Sequence, residues 1–508
     1  MPSLIIEELL TQEKLNVMKK LSFVILLLLC LSAGLSAQNV DDALRYSQLF
    51  YGGTSRFMSM GGAFTAIGGD ISSLSQNPAG LGLFRSSEIT LSPQLAHIKT
   101  NAGFYGRTSD FIYDFNLSQA GIVSNLVSNE SGLISLNLGY SFNKTNNLNQ
   151  SIRIQGVNTN SSLADYWANS NEGVYYKDLT DAAGIGFDAW VIDTITGSGG
   201  YSYGTVFSNY GDNPPSVYGQ NVRRIITYDG YTGEHALSIG GNYNNKIFFG
   251  ATLGISRLRF SSHYEHMEST DKNLLSGFKD FVFTDHFDNT GTGYSIKMGV
   301  IIKPIEMLRL GFAFHSPTWY RINESFYENI SSNLATQVFN VDPQHYEYAL
   351  ATPFRVLAGA AVQVGKLALL SADYEFVDYS TARFSQTGDG YDYSEKNLEI
   401  KNTLKAVHNI RLGGELRLSK LYLRGGYGYY GRAFQPGEDN ENLDYSSISG
   451  GIGFREQRVS IDFGFTNYMY DQKYILYPLD TKFYNPAIAS LSTNKNMFTL
   501  TLGYKFGY

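Results

Sequence analysis

Two imidazoles three positions apart, in His263-Tyr264-Glu265-His266, are the most overt candidates for chemistry. On a helix that spacing sets both rings on one face, where they can share a metal ion. Here the run sits where a strand-like segment enters a long loop and no third ligand is fixed, so no metal site is expected. Glycine pairs at Gly61-Gly62 and Gly68-Gly69 lack the Lys-Ser or Lys-Thr of a phosphate loop. Ser, His and Asp are plentiful, but no Gly-x-Ser-x-Gly elbow is set between a strand and a helix; Gly197-Ser198-Gly199 falls in the longest loop without that context. No catalytic residue is assigned, no cofactor is expected, and the chain reads as a non-enzyme. Two other groups stand out. Asn77-Pro78-Ala79-Gly80 makes a rigid turn, because proline fixes its own torsion and restricts the residue before it. Arg309, Asp373, Glu375, Arg411, Glu415, Arg417, Arg424 and Asp462 share the polar side of alternating segments, as structural ion pairs or as partners for a ligand carboxylate.

The elements that would position these residues are strands. In the last eleven residues Phe498, Leu500, Leu502, Tyr504, Phe506 and Tyr508 alternate with Thr499, Thr501, Gly503, Lys505 and Gly507, which gives one apolar and one polar face. The rhythm recurs at Ile134–Phe142, Leu237–Tyr243, Ile247–Ile255, Tyr294–Ile302, Leu308–Phe314, Val356–Val364, Ala368–Phe376, Ile410–Leu418, Leu421–Tyr429, Ile448–Phe454 and Val459–Phe465. Short turns alternate with long connections, roughly 144–233, 263–290, 317–349, 381–405, 432–445 and 470–495. Outer-membrane barrels have this asymmetry, and about 9 to 11 residues per strand suffice to cross. A strand near Ser87–His97 and a weaker one near Asp110–Gly121, where Gln119 and Gly121 break the phase, bring the count to about fourteen. The fold class is therefore all-β: a closed antiparallel transmembrane β-barrel whose carboxyl end lies on the short-turn side. Closure pairs every backbone group inside the sheet, which hydrocarbon cannot do.

Composition and leader agree. Tyr (37), Phe (32) and Gly (52) are abundant, and the charged fraction is only 17%. Lys19-Lys20, the apolar run Leu21–Leu31 and small residues up to Ala37 have the order of a secretory signal, so 1–37 is read as the signal, with 1–17 as an over-long start. No other stretch approaches the roughly 20 apolar residues of a membrane helix. Cys30, the only cysteine, falls within that signal, which removes disulfide chemistry from the mature protein. A net charge of -7 argues against nucleic acid as a partner. Residues 38–86 do not read as strands and are too small and glycine-rich to stand alone, so they are expected to fold into the lumen as an amino-terminal hatch, with the barrel at 87–508.

Gly61-Gly62-Ala63-Phe64-Thr65-Ala66, Asn77-Pro78-Ala79-Gly80-Leu81, His315-Ser316-Pro317-Thr318, Asp373-Tyr374-Glu375 and Leu423-Arg424-Gly425-Gly426-Tyr427-Gly428 together resemble landmarks of the FadL-type family of outer-membrane transporters for long-chain fatty acids and other hydrophobic compounds. The resemblance implies a fourteen-stranded barrel in the outer membrane of a Gram-negative bacterium, plugged by a hatch carrying the Asn77-Pro78-Ala79-Gly80 motif. It implies passive uptake of a hydrophobic small molecule that leaves sideways through a gap made by a kink in the third strand. Gly139, in the interior of that strand, is the candidate gap residue, since a strand glycine often marks a bulge. The long, Tyr-, Asn-, Ser- and Gly-rich third-to-fourth connection departs from the family, so its ligand class does not carry over. The expected partners are the hydrophobic ligand, outer-membrane lipid and, through the carboxyl-terminal strand, the barrel-assembly machinery, with the barrel as a monomer. The alternative is a FadL-like barrel serving secretion or surface-attachment machinery; a haem receptor and an outer-membrane barrel enzyme are more remote.

Overall fold

Segments that alternate apolar and polar residues must find partners on both edges, and here fourteen of them do so in a ring. The computed structural model describes residues 39–211, 217–274, 276–388, 390–479 and 487–507; the expected signal at 1–37 lies outside them. The wall begins with β1 (Ser87–Gly103), β2 (Arg107–Ser128), β3 (Leu133–Asn147), β4 (Gln220–Tyr243) and β5 (Ile247–Ser269). It continues through β6 (Asp280–Ile305), β7 (Leu308–His315), β8 (Arg355–Val364), β9 (Ala368–Asp378) and β10 (Ala406–Leu418). β11 (Leu421–Tyr430), β12 (Tyr445–Glu456), β13 (Val459–Ile475) and β14 (Ile488–Phe506) complete it. Each strand runs antiparallel to the next, and β14 closes on β1 from Ser87↔Phe506 to Gly103↔Ser490.

The two faces are inverted relative to a soluble sheet. On β14, Phe498, Leu500, Leu502 and Tyr504 are 38 to 48% exposed, while Thr499 and Thr501 are at most 2% exposed. The same inversion runs around the wall, from Ile89 and Leu91 to Ile461 and Phe463. An apolar belt on the outside with polar residues inside is the arrangement that lipid stabilises. Among the described residues no helix is long and apolar enough to cross a membrane.

The connections 129–132, 244–246, 306–307, 365–367, 419–420 and 457–458 are tight and share one end. Asn244, Asn245, Ser419 and Gln457 adopt positive φ there, as tight hairpin turns that match the strand twist require. Lys505 N donates to Arg458 O at 2.8 Å, which places the carboxyl end of β14 at this same short-turn end.

The strands outrun the alternation that predicts them. β4 begins at Gln220 rather than Leu237, and β5 reaches Ser269. Above the lipid belt the outward positions meet water, so Arg223, Thr227 and Asp229 replace apolar residues while the ladder continues unchanged. Gln150–Asn158 adds to the outer half of β4, and Trp319–Ser332 to the outer half of β6. The longest connection folds into a cap with α3 (Leu163–Ser170) and α4 (Asp181–Asp188), where Trp167 and Phe207 pack with Phe278, Phe281 and Phe283 from the rim. The α3 amino terminus is closed by a capping box between Ser162 and Asp165.

Candidate functional site in the lumen

The segment before β1 lies against the inward side chains of the wall. It is a series of short turns and helices, each started by a polar side chain that accepts from an otherwise unpaired amide. Asn39 caps α1 (Val40–Ser47), Thr54 caps α2 (Ser55–Ser59), Asp70 caps the turn Ile71–Ser75, and Asn77 caps the turn Pro78–Leu83.

Asn77 is held from two directions. Its Oδ1 accepts from Ala79 N at 3.1 Å, and its Nδ2 donates to Thr65 O at 2.6 Å. The wall leaves room for this corner with glycine. A β-carbon at Gly299 would sit 1.9 Å from Asn77 Oδ1, one at Gly250 2.3 Å from Pro78 O, and one at Gly311 2.1 Å from Thr65 O. Ala79 is fully buried, and Gly80 faces Ser73 Oγ, which an added β-carbon would meet at 2.5 Å.

All eight candidate charges occupy inward positions, and several touch this segment directly. Arg309 donates to Ile67 O at 2.8 Å, and Asp373 accepts from Thr65 N at 2.8 Å and Gln76 Nε2 at 3.3 Å. Glu375 accepts from Arg411 at 2.9 Å and pairs with Arg355, which also bonds Ser47 O. Glu415 receives three guanidinium groups: Arg56 at 2.9 Å, Arg424 at 2.8 Å and Arg417 at 2.9 Å. Arg424 reaches on to Asp462 at 2.6 Å. With both carboxylates matched, these buried charges are satisfied in pairs and triads, and losing one partner strands the other.

Sequence reading missed Arg56, Lys297, Glu234 and Arg355, and had His315 only as part of a family landmark. Lys297 donates to Ser75 O at 2.8 Å and pairs with Glu234, and His315 Nε2 bonds Gln76 O at 2.7 Å. Lys297, Glu234, His315 and Arg355 sit at inward positions beside the outward Ile296, Leu237, Phe314 and Val356, so strand parity carries the signal that finds them.

Gly139 is not at a break in the wall. It pairs with Val123 on one side and Ser238 on the other, and its missing side chain makes room for Leu74, whose Cδ2 lies 2.6 Å from where a β-carbon would be. The ladder ends a little further out. β2 and β3 stay paired only up to Gln119↔Asn143. Beyond that, Arg107 to Leu117 pairs with β1 alone, and β3 turns inward so that Lys144 to Asn147 are all buried. Side chains bridge the opening: Asn147 Nδ2 donates to Asp114 at 2.8 Å, Lys144 lies 3.7 Å from Asp114, and Ser151 donates to Asp110 at 2.9 Å. The segment inside is stitched to the same place, with Phe50 N on Thr145 O and Gly52 N on Lys144 O, both at 2.7 Å. The broken phase near Gln119 is a bulge opposite Ser92 and Pro93. It turns Ser118 inward to accept from Gly53 N at 3.0 Å and donate to Gly53 O at 2.9 Å.

The two histidines of His263-Tyr264-Glu265-His266 are on opposite faces. His263 stacks on His286 outside the barrel with ring centroids 4.0 Å apart, while His266 is buried between Arg224 and Glu268. Among the described residues no three His, Cys, Asp or Glu side chains gather as a metal site. Outside the spanning region, burial inside the cap pushes the Asp165 carboxyl up to about 7, against hydrogen bonds from Tyr218 OH and Ser162 N that favour its charged form.

Two cavities flank α1 in the outer half of the lumen. One, of about 190 Å³, is lined by Phe50, Tyr445 and Tyr470 with Asn146 and Lys495, so it abuts the inward bend of β3. The other, of about 270 Å³, lies against β5 and β6.

No protein-family model and no curated protein matches the sequence. Solved structures do match. A FadL homologue of Pseudomonas aeruginosa superposes with a TM-score of 0.55 at 13% identity, over 91% of this chain and 100% of that one. The toluene transporter TodX of Pseudomonas putida superposes with a TM-score of 0.51 at 11% identity, over 90% of this chain and 99% of that one. The chain has the fold of the FadL-type outer-membrane barrels.

Proposed function

We propose that this barrel resides in the outer membrane of a Gram-negative bacterium and passes hydrophobic small molecules inward by passive diffusion. Residues 38–86 act as the hatch, and cargo leaves sideways between β2 and β3 into the membrane. The observation that carries the reading is the end of the β2–β3 ladder at Gln119↔Asn143, beyond which side-chain bonds tie β2 to the bend of β3 and the inner segment is bonded to that bend. A lateral opening suits apolar cargo, which gains by passing from a lumen to lipid without crossing water. The solved neighbours named above include a toluene transporter, and that chemistry fits a channel whose outer cavities are lined with Phe and Tyr. Asn77-Pro78-Ala79-Gly80 is the anchor of the hatch, and the lumen charges hold it in register rather than perform catalysis. The reading also has the barrel acting as a monomer, inserted by the barrel-assembly machinery through β14.

Proteoliposomes decide the matter. Toluene and a fluorescent long-chain fatty acid should enter vesicles holding the protein faster than empty ones, while ion conductance stays low. Removing residues 38–86 should raise conductance to that of an open pore, and Asp114→Ala, which unties Asn147 and Lys144, should speed apolar entry. Equal entry into loaded and empty vesicles would remove the transport reading, and unchanged flux in the Asp114 variant would remove the lateral route.

A further inference from the structure

The cavity of about 270 Å³ beside α1 has walls formed by the rings of Tyr228, Phe260, Phe287 and Phe326. Two carboxylates, Asp285 and Glu328, line it as well. They occupy directly opposed positions on β6 and the strand Trp319–Ser332, and both face inward. Like charges so placed repel each other unless a cation lies between them. Glu328 accepts from the backbone of Ala182 in the cap, yet its Oε2 is shut off from solvent with no hydrogen-bond partner.

Of the chain's own cations, Arg45 is paired at the cavity wall, and Arg224, which acts on Asp285 from outside the lining, is bonded mainly to other groups. Arg45 lines the same cavity, but its guanidinium is bonded to Asp42. Arg224 donates to His266 Nδ1 at 3.0 Å and to Leu476 O. With Arg45 and Asp42 cancelling, Asp285 and Glu328 are the remaining carboxyl groups of the lining; burial raises both, Asp285 adds to the rise at Glu328, and a cation set between them would hold both ionised. Its rings already accept a cation: the Arg45 guanidinium lies 4.4 Å from the Phe260 ring centre and 6.0 Å from that of Tyr228.

We propose that this cavity binds compact organic amines, with the ammonium between Asp285 and Glu328 and the apolar body against Phe260, Phe287 and Phe326. The inference rests on the channel reading and narrows its cargo to include small aromatic amines. Carboxylate ligands of the same size find no unpaired cation in the lining, since Arg45 is bonded to Asp42. The volume, at the lower end of ordinary ligand pockets, suits a single ring with a short side chain.

The test uses the full mature protein in detergent and three ligands of one shape: 2-phenylethylamine, neutral 2-phenylethanol and anionic phenylacetate. Calorimetry should show the amine binding ~10-fold or more tighter than the alcohol, since a site with unpaired buried acceptors discriminates strongly. Phenylacetate should bind weakest. Glu328→Gln and Asp285→Asn should each cut the amine preference to about threefold or less and leave the alcohol unchanged. Equal binding of amine and alcohol to the unaltered protein overturns the proposal without any variant having to fold, as does a preference that survives both substitutions. Toluene entry into proteoliposomes separates the two readings. Intact toluene flux with no amine preference sinks only the amine site, whereas absent toluene flux sinks the channel reading beneath it.

Discussion

Gly299→Ala is the most direct probe of how the inner segment is seated. The new β-carbon would land 1.9 Å from Asn77 Oδ1 and 2.8 Å from Asn77 Cγ. Ordinary contact begins at 3.4 Å, so the Asn77 side chain must withdraw by about 1.5 Å. Withdrawal breaks the bond from Ala79 N and the 2.6 Å bond to Thr65 O. Each bond contributes roughly 0.5 to 1.5 kcal/mol, and forcing a methyl into a packed contact costs about 1 to 3 kcal/mol. The seated state should lose roughly 3 kcal/mol, a shift of about a hundredfold in the seating equilibrium. Hydrogen exchange at the Ala79 and Thr65 amides should accelerate by that factor, and single-channel recordings should show more frequent ion-conducting openings. Two controls sharpen the result. Gly425→Ala places its methyl where nothing lies within 4 Å and should be silent. Adding Asn77→Ala to Gly299→Ala removes the colliding atoms, so the double variant should be less impaired than Gly299→Ala alone. If Gly299→Ala behaves like Gly425→Ala, or Asn77→Ala gives no relief, the inward glycines are not there to seat the segment.

Glu415→Ala removes the carboxylate shared by Arg56, Arg417 and Arg424, of which only Arg424 keeps a carboxylate partner in Asp462, and should cost about 3 to 5 kcal/mol in chemical unfolding, whereas Arg56→Ala leaves Glu415 with Arg424 and Arg417 and should cost clearly less. Leu502→Arg puts a charge on the lipid face of β14 and should destabilise the folded barrel by roughly 2 to 4 kcal/mol in lipid if the site is near mid-membrane, read by urea titration in vesicles. The cap should loosen as pH rises. Burial raises the folded Asp165 carboxyl above its unfolded value of 3.8 to about 7, so its neutral form stabilises the cap at low pH, and that contribution shrinks above the unfolded value and is gone once pH passes about 7. Protection factors at α3 amides, which are corrected for intrinsic exchange, should therefore fall between about pH 4 and 7, and Asp165→Asn should flatten the profile.

Legibility varied with physical cause. Within the lipid belt the outward positions must be apolar, so β14 and the pairs β10–β11 and β12–β13 could be read directly, along with the inward placement of Asp373, Glu375, Arg411, Glu415 and Arg424. Above the belt both faces are polar or packed under the cap, which is why the outer halves of β4, β5 and β6 gave no period. The broken phase at Gln119 was visible, but its meaning as a bulge bonded to Gly53 was not. Gly139 was misread because a wall glycine can mark either a break or a place where an inner side chain approaches, and only Leu74 distinguishes the two.

Alternation, aromatic content and turn spacing determined by themselves that the chain closes into a wall of about fourteen strands facing lipid, because each of those properties is local and repeats with the pleat; the paired ladders fix the count at fourteen. Which inward residues meet, where the ladder stops and which cavities lie beside α1 depended on the packing of residues hundreds of positions apart. Ser55 bonds Thr501, Arg56 bonds Glu415, and Arg355 bonds Ser47. No period along the chain encodes such pairings. They arise when closure of the sheet brings distant strands around one segment.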